Sequence, residues 1–444
     1  MIQEEPKFFT NLLKVAMLTA VMSFFFFPIG FRGLPESLNT KQMLGVVGIL
    51  IFSARSIAQN AMKLPRQIAV SALMSFVFSL WCFFSTTENG LSDYAYATYF
   101  LSFFVWLGGA YAVCELLRHS YGKVDIHLVT RYLTYACLAQ CVFVFLVKFV
   151  PPFQYFVDTF IIQDNTAKNL GRLYGIGCSL DSGGVRFCMT ELLIAHEICT
   201  NKVVEKKKGL LAFYILSEFL LLCIGCMIAR TAMIGFLLGT VYTLITFGYL
   251  KNGEINIRQR RFIRFSIIFI AILTAVGIYF YNHDAWMHKQ IRFAFEAFFN
   301  FAEHGEFRTG SSDKLMTDMW IWPWDDRGWA IGYGLFEWKY WKAYGIQTDI
   351  GYCRFTLYCG LIGLAIFSLF FLYNAFCVSR KFKKAKLLAA LFAALTFIIW
   401  IKVSTDIFQI YALLFCLPAE FGEDGDEIKD EDSEEDTDVS SDDE

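Results

Sequence analysis

Residues 209–250 read GLLAFYILSEFLLLCIGCMIARTAMIGFLLGTVYTLITFGYL. Two apolar runs, 209–229 and 231–250, flank a single arginine, Arg230. Each run has about the 20 residues that a helix needs to cross a hydrocarbon core, and only a tight turn fits between them. The stretch is therefore a hairpin of two membrane helices. A guanidinium at such a turn is too costly to leave in lipid without a partner or water, so Arg230 marks a functional position. The plainer alternative is an interfacial arginine whose stem snorkels to the headgroups.

The rest of the 444-residue chain extends this reading. It is 56% hydrophobic and 18% aromatic with a mean hydropathy of +0.46, which excludes a soluble globular domain and points to an all-α polytopic membrane protein. The 48 Phe suit a lipid-facing surface, and the 8 Pro argue against long disordered linkers. Thirteen Cys, the mid-helix Cys223 and Cys226 among them, lie mostly inside apolar segments and read as small hydrophobes rather than a disulfide frame. The net charge of −2 hides two unlike regions: residues 419–444 hold 15 Asp/Glu and one Lys, a local −14, which leaves +12 on residues 1–418. The tail, with Ser433, Thr437, Ser440 and Ser441 among its carboxylates, has the composition of a solvated disordered segment. Residues 1–418 form the transmembrane domain, and nothing in them suggests nucleic-acid binding.

Twelve apolar segments can be placed, at 11–31, 43–58, 67–86, 94–117, 128–150, 185–200, 209–229, 231–250, 264–282, 354–377, 386–402 and 404–418. The sixth and twelfth are short or mixed. With the N-terminus inside, the cytoplasmic turns collect Arg55 and Arg66, Arg118 and Lys123, Lys202 with Lys206 to Lys208, Arg258 to Arg264, and Arg380 to Lys386. That is a positive-inside pattern, and the 87–93 turn on the other side has no Lys or Arg. It puts two long segments outside, 151–184 and 283–353, and the acidic tail in the cytoplasm.

The outer segments carry the candidate chemistry. In the first, Gly171-Arg172-Leu173-Tyr174-Gly175 runs through Ser179 and Asp181 to Gly183-Gly184. Its glycines and Arg172 offer backbone N–H groups and a charge ahead of a helix, which suits an anion, or else form a plain turn. The second begins as an amphipathic stretch, 286–301, expected along the membrane surface. It continues through Glu303, His304, Glu306, Arg308 and Asp313 to Trp320, Trp322, Trp324 and Trp329. Interfacial tryptophans are common, but this aromatic surface beside Arg308 and His304 also suits stacking on sugar rings. Asp349 near a helix start is either an N-cap or a proton acceptor, and Arg354 lies one turn inside that helix. Arg172, Arg230 and Arg354 are all expected near the outer face, where guanidinium forks would hold a diphosphate at headgroup depth.

Taken in order, Arg172-Leu173-Tyr174-Gly175, Ala229-Arg230-Thr231-Ala232, Trp329-Ala330-Ile331-Gly332-Tyr333-Gly334 and Asp349-Ile350-Gly351-Tyr352-Cys353-Arg354 followed by Gly360-Leu361-Ile362-Gly363 resemble the O-antigen polymerase and O-antigen ligase superfamily over roughly 130–420. The resemblance implies a glycosyltransferase C-like helical fold of the bacterial inner membrane with a large periplasmic loop. It also implies glycan transfer from undecaprenyl diphosphate to an acceptor hydroxyl without a nucleotide sugar, cofactor or metal. Arg230 and Arg354, with Arg172, match the family's diphosphate-binding arginines. Ligases carry a His where this sequence has Asp349, so the polymerases resemble it better there. Asp349, or else His304, would then take the hydroxyl proton; a flippase and a chain-length regulator would be partners. The competing expectations are the ligase, which differs in acceptor, and a transporter of polysaccharide precursors. A transporter should show intramembrane polar residues, whereas the polar residues here are expected mainly in the outer loops.

Overall fold

The computed structural model describes residues 5–35, 38–60, 64–162, 165–248, 256–336 and 348–419. The acidic run from Glu420 on lies outside the described residues, as do Trp338 and Trp341. The described chain is almost entirely helical, and its only strands are two-residue pieces, Gly30–Phe31 paired antiparallel with Ile161–Ile162.

Each of the twelve apolar segments coincides with a helix. In order these are α1 Glu5–Phe26, α2 Thr40–Ala58, α3 Arg66–Glu88, α4 Tyr99–Tyr121, α5 Ile126–Phe149, α6 Leu180–Thr200, α7 Lys208–Ile228, α8 Ala232–Thr246, α9 Ile257–His283, α10 Gly351–Lys381, α11 Lys386–Ile399 and α12 Phe408–Cys416. Seven of them, α2, α3, α4, α5, α7, α9 and α10, are long and apolar enough to cross a membrane. The fold is that of an all-α, membrane-embedded protein. Local signals start several helices: Asn39 and Gln42 form a reciprocal capping box at α2, and Asp125 accepts from Leu128 N at 2.8 Å to cap α5.

The two segments weakest in sequence are the innermost helices. From Gly183 to Cys199, α6 is buried at all but one position, and Phe408 to Phe415 of α12 are buried throughout. In contrast α9, among the most apolar, has none of its spanning window buried in protein. Interior helices pack against helices rather than lipid, so they tolerate polar side chains that find partners. Glu191 is fully buried in α6 and Glu218 is 8% exposed in α7, with Gln140 and Asn374 buried in α5 and α10. Beside the polar residues expected mainly in the outer loops, these four lie inside the helical bundle. Close approach elsewhere depends on glycine: a Cβ on Gly48 of α2 would lie 1.7 Å from the Gly108 carbonyl oxygen of α4.

Helix α10 is broken at Gly360, whose φ of 64° and ψ of −176° leave the helical region. A Cβ there would meet the Ala330 carbonyl oxygen at 2.2 Å. The carbonyls released by the break are all engaged. Leu357 O accepts from Tyr333 N at 2.7 Å and Tyr358 O from Gly334 N at 3.0 Å, while Trp81 Nε1 donates to Cys359 O at 2.8 Å. The Gly332-Tyr333-Gly334 and Gly360-to-Gly363 stretches are thus two halves of one joint, which pins residues 332–334 to the bundle.

Candidate functional site

Between α7 and α8 the chain leaves helix at Ala229, whose φ of −155° and ψ of 127° are extended, and resumes at Ala232. This is the expected tight turn, and it presents Arg230 to the segment that follows α9. Arg230 Nη1 pairs with the Glu296 carboxylate, Nη2 donates to Ser311 Oγ at 2.8 Å, and the guanidinium carbon lies 4.7 Å from the Phe293 ring centroid. Arg172 lies against the same ring at 5.0 Å. Burial, followed by the Arg230 cation, pulls the Arg172 guanidinium below its ordinary pKa, with Asp181 opposing the shift. The amphipathic stretch 286–301 that supplies Phe293 and Glu296 is two short helices, Ala285–Ala294 and Glu296–His304. Glu296 also accepts from Gly310 N at 2.8 Å, at the start of the helix Gly310–Asp318.

Arg172 is held by its loop. Gln140 of α5 clasps that loop from both sides, donating to Ile176 O at 2.8 Å and accepting from Ile176 N at 3.0 Å. Beyond it, Lys402, just after α11, donates to Asp181 Oδ1 and to Thr231 Oγ1, both at 2.8 Å, and Thr231 donates to Asp181. This triangle ties together the start of α6, the Arg230 turn and the end of α11.

Beside this crevice is a cavity of about 330 Å³ lined by Lys41, Tyr96, Tyr99, Arg186, Phe336 and Asp406, among others. Arg186, one turn into α6, donates through Nη1 to Ser182 O at 2.8 Å, while its Nε is buried without a hydrogen-bond partner. Lys41 lies with its ammonium 4.6 Å from the Trp106 ring. Among the described residues neither cation makes an ion pair. Among the described residues Asp406 is the one carboxylate lining the cavity, and it accepts from Phe408 N at 3.0 Å at the start of α12.

Arg354 does not join the crevice and stands behind Phe336, which lines this cavity. Its Nη2 donates to Phe336 O at 2.9 Å, and its guanidinium carbon sits 4.2 Å from the Phe336 ring. Phe336 N in turn donates to Asp93 Oδ2 at 2.7 Å. Asp349 is exposed two residues before α10. The structure thus brings Arg172 and Arg230 together and places Arg354 behind Phe336. Arg308 is exposed and pairs with Glu306 at 2.6 Å, and His304 is 67% exposed, 3.9 Å from Glu303. Trp320 and Trp329 are linked through Trp322, with centroids 5.7 Å and 5.5 Å away, whereas Trp324 stacks on Tyr333 at 4.1 Å. No three His, Cys, Asp or Glu side chains among the described residues group as a metal site.

Lys41, Arg186, Lys402 and Asp406 were not foreseen from the sequence. Arg186 carried a usable signal: it is an ionisable residue inside the apolar segment 185–200, the feature that singled out Arg230. Lys402 ends the apolar segment 386–402 and Asp406 lies inside the segment 404–418, so both carried the same signal as Arg186. Compared with protein-family models, curated proteins and solved structures, the chain finds no match.

Proposed function

We propose that the protein is a polysaccharide polymerase of the bacterial inner membrane, moving a glycan from undecaprenyl diphosphate to a hydroxyl of another lipid-linked repeat unit. In this reading all twelve helices cross the bilayer with the N-terminus inside, and the crevice and cavity open at the periplasmic headgroup level. The observation that carries it is the cavity holding Lys41 and Arg186 without ion pairs. Two partly desolvated cations facing one carboxylate favour an anion that brings more than one charge, and a diphosphate supplies oxygens suited to a guanidinium fork.

The acceptor hydroxyl attacks the anomeric carbon of the donor glycan. A new C–O bond forms as the bond to the diphosphate oxygen breaks, and the hydroxyl proton passes to a carboxylate. Undecaprenyl diphosphate leaves with the electron pair, its growing charge met by Arg186 and Lys41. Asp406, which lines the cavity, is better placed as the base than exposed Asp349. The Trp320, Trp322 and Trp329 cluster offers faces for sugar rings. Arg172 and Arg230 make a second cationic position beside the first. Two such positions suit a reaction whose donor and acceptor are both lipid diphosphates, and this favours polymerase over ligase.

The test uses cells lacking the protein, complemented with Arg186→Ala or Lys41→Ala, with surface glycan read on gels. Single repeat units in place of long chains are expected. Loss of all lipid A-attached glycan while polymer accumulates would instead identify a ligase, and normal chains from both variants would sink the cavity as the site. A precursor transporter is the second reading, favoured by buried Glu191 and Glu218. It predicts lipid-linked repeats trapped on the inner leaflet of the deleted cells.

A further inference from the structure

The end of the bundle opposite the crevice holds a larger cavity, about 480 Å³, between the start of α5, the end of α6 and the turn joining α10 to α11. Lys123, Arg131, Lys202 and Lys384 line it. Among the described residues its one lining carboxylate, Asp125, is committed to capping α5, and Glu197 beside it is taken by His127 at 2.6 Å. Among the described residues Lys123, Arg131 and Lys384 make no ion pair, and Arg131 Nε is buried without a hydrogen-bond partner. A concave site with this excess of positive charge recognises anions.

The last described helix ends beside the end of α10, three residues before Lys384. Lys381 Nζ donates to Leu414 O at 3.0 Å and to Phe415 O at 2.8 Å, fixing the end of α12 against the turn that carries Lys384 into the cavity. The chain continues from Ala419 into residues 420–444, with 15 Asp/Glu and one Lys. At about 3.3 Å per extended residue, a few residues span the distance across such a cavity. A tethered partner also acts at an effective concentration on the order of millimolar.

We propose that the acidic tail docks in this cavity in cis, its carboxylates meeting Lys384, Lys123, Lys202 and Arg131. The inference holds whichever reaction the opposite end performs.

The experiment is carbodiimide cross-linking of full-length protein in phosphatidylcholine nanodiscs, with linked peptides identified by mass spectrometry. Amide bonds from tail carboxylates to Lys123, Lys202 and Lys384 should exceed those to exposed Lys206, Lys207 and Lys208, outside the cavity, by roughly tenfold. They should fall in high salt and on Arg131→Gln. Equal linking to all six lysines, or none, overturns the proposal. So does loss of the cavity cross-links in nanodiscs containing phosphatidylglycerol, which would make lipid phosphate the occupant.

Discussion

The crevice around Arg230 and the cavity around Arg186 sit at the same end of the bundle and both concentrate positive charge, yet they handle it in opposite ways. In the crevice most of the charge is spoken for: Arg230 has Glu296 and Ser311, Lys402 has Asp181 and Thr231, and only Arg172 rests on an aromatic ring, that of Phe293. In the cavity Arg186 and Lys41 have aromatic and carbonyl neighbours but no carboxylate within ion-pair distance among the described residues. Paired charges hold elements together, whereas unpaired ones at partial burial reduce stability and persist when they serve a ligand. On the proposed reading, the difference separates cavity cations that meet the donor diphosphate from a mostly paired crevice that shapes the mouth of the site or, at Arg172 and Arg230, receives the acceptor.

The sharpest break between the two regions comes from making the same change in each. Arg186→Gln should lower polymer formation roughly 100-fold, the scale of losing one positioned charge at a developing anion, with an unchanged or slightly raised Tm. Arg230→Gln should lower Tm as well, since it strands Glu296. Purified variants are compared by transfer between lipid-linked repeats and by thermal unfolding in detergent. Equal loss of Tm in both would mean that the cavity cations are structural too.

A smaller effect sharpens the same point. Arg230→Gln should cost about 2 kcal/mol through its charge-assisted hydrogen bonds, and the swap Arg230→Glu with Glu296→Arg should recover most of that stability. If the crevice only shapes the mouth, the swap also recovers transfer. If Arg230 itself holds an acceptor diphosphate, as two-site chemistry suggests, stability returns and transfer does not. Restoration of neither rules out the pairing as the source of stability.

The contrast also explains what could be read from the sequence. Arg230 was legible because it interrupts two runs that nothing but lipid explains, and the helix positions followed from those runs. Arg186 was not, because α6 is buried against other helices and its mixture of Glu191, His196 and Glu197 blurs the apolar signal in which one more charge would stand out. Asp406 and Lys402 become neighbours of α6 only through the packing of α11 and α12, which no local pattern encodes. Arg354 was found in the right helix, but its partner Phe336 lies 18 residues back, across a stretch whose path depends on the Gly360 break.

The smallest effect lies at the crevice's outer edge. Arg292, next to the Phe293 ring shared by Arg172 and Arg230, pairs with Glu303 at 2.7 Å, joining the two short helices that carry that ring and Glu296. The Arg292 hydrogen bond holds the Glu303 carboxyl below its ordinary pKa. A carboxyl depressed in the folded state adds stability above its unfolded pKa, near 4.3, and loses it as pH falls through the lower folded value. Both side chains are 40% exposed, so salt should screen the contribution. Tm at low ionic strength should therefore separate Glu303→Gln from the parent at pH 6 and converge on it as acid protonates the folded Glu303 carboxyl. A gap that persists at low pH would mean that the substitution acts through packing, and the crevice would then owe its shape to the aromatic ring rather than to the charges around it.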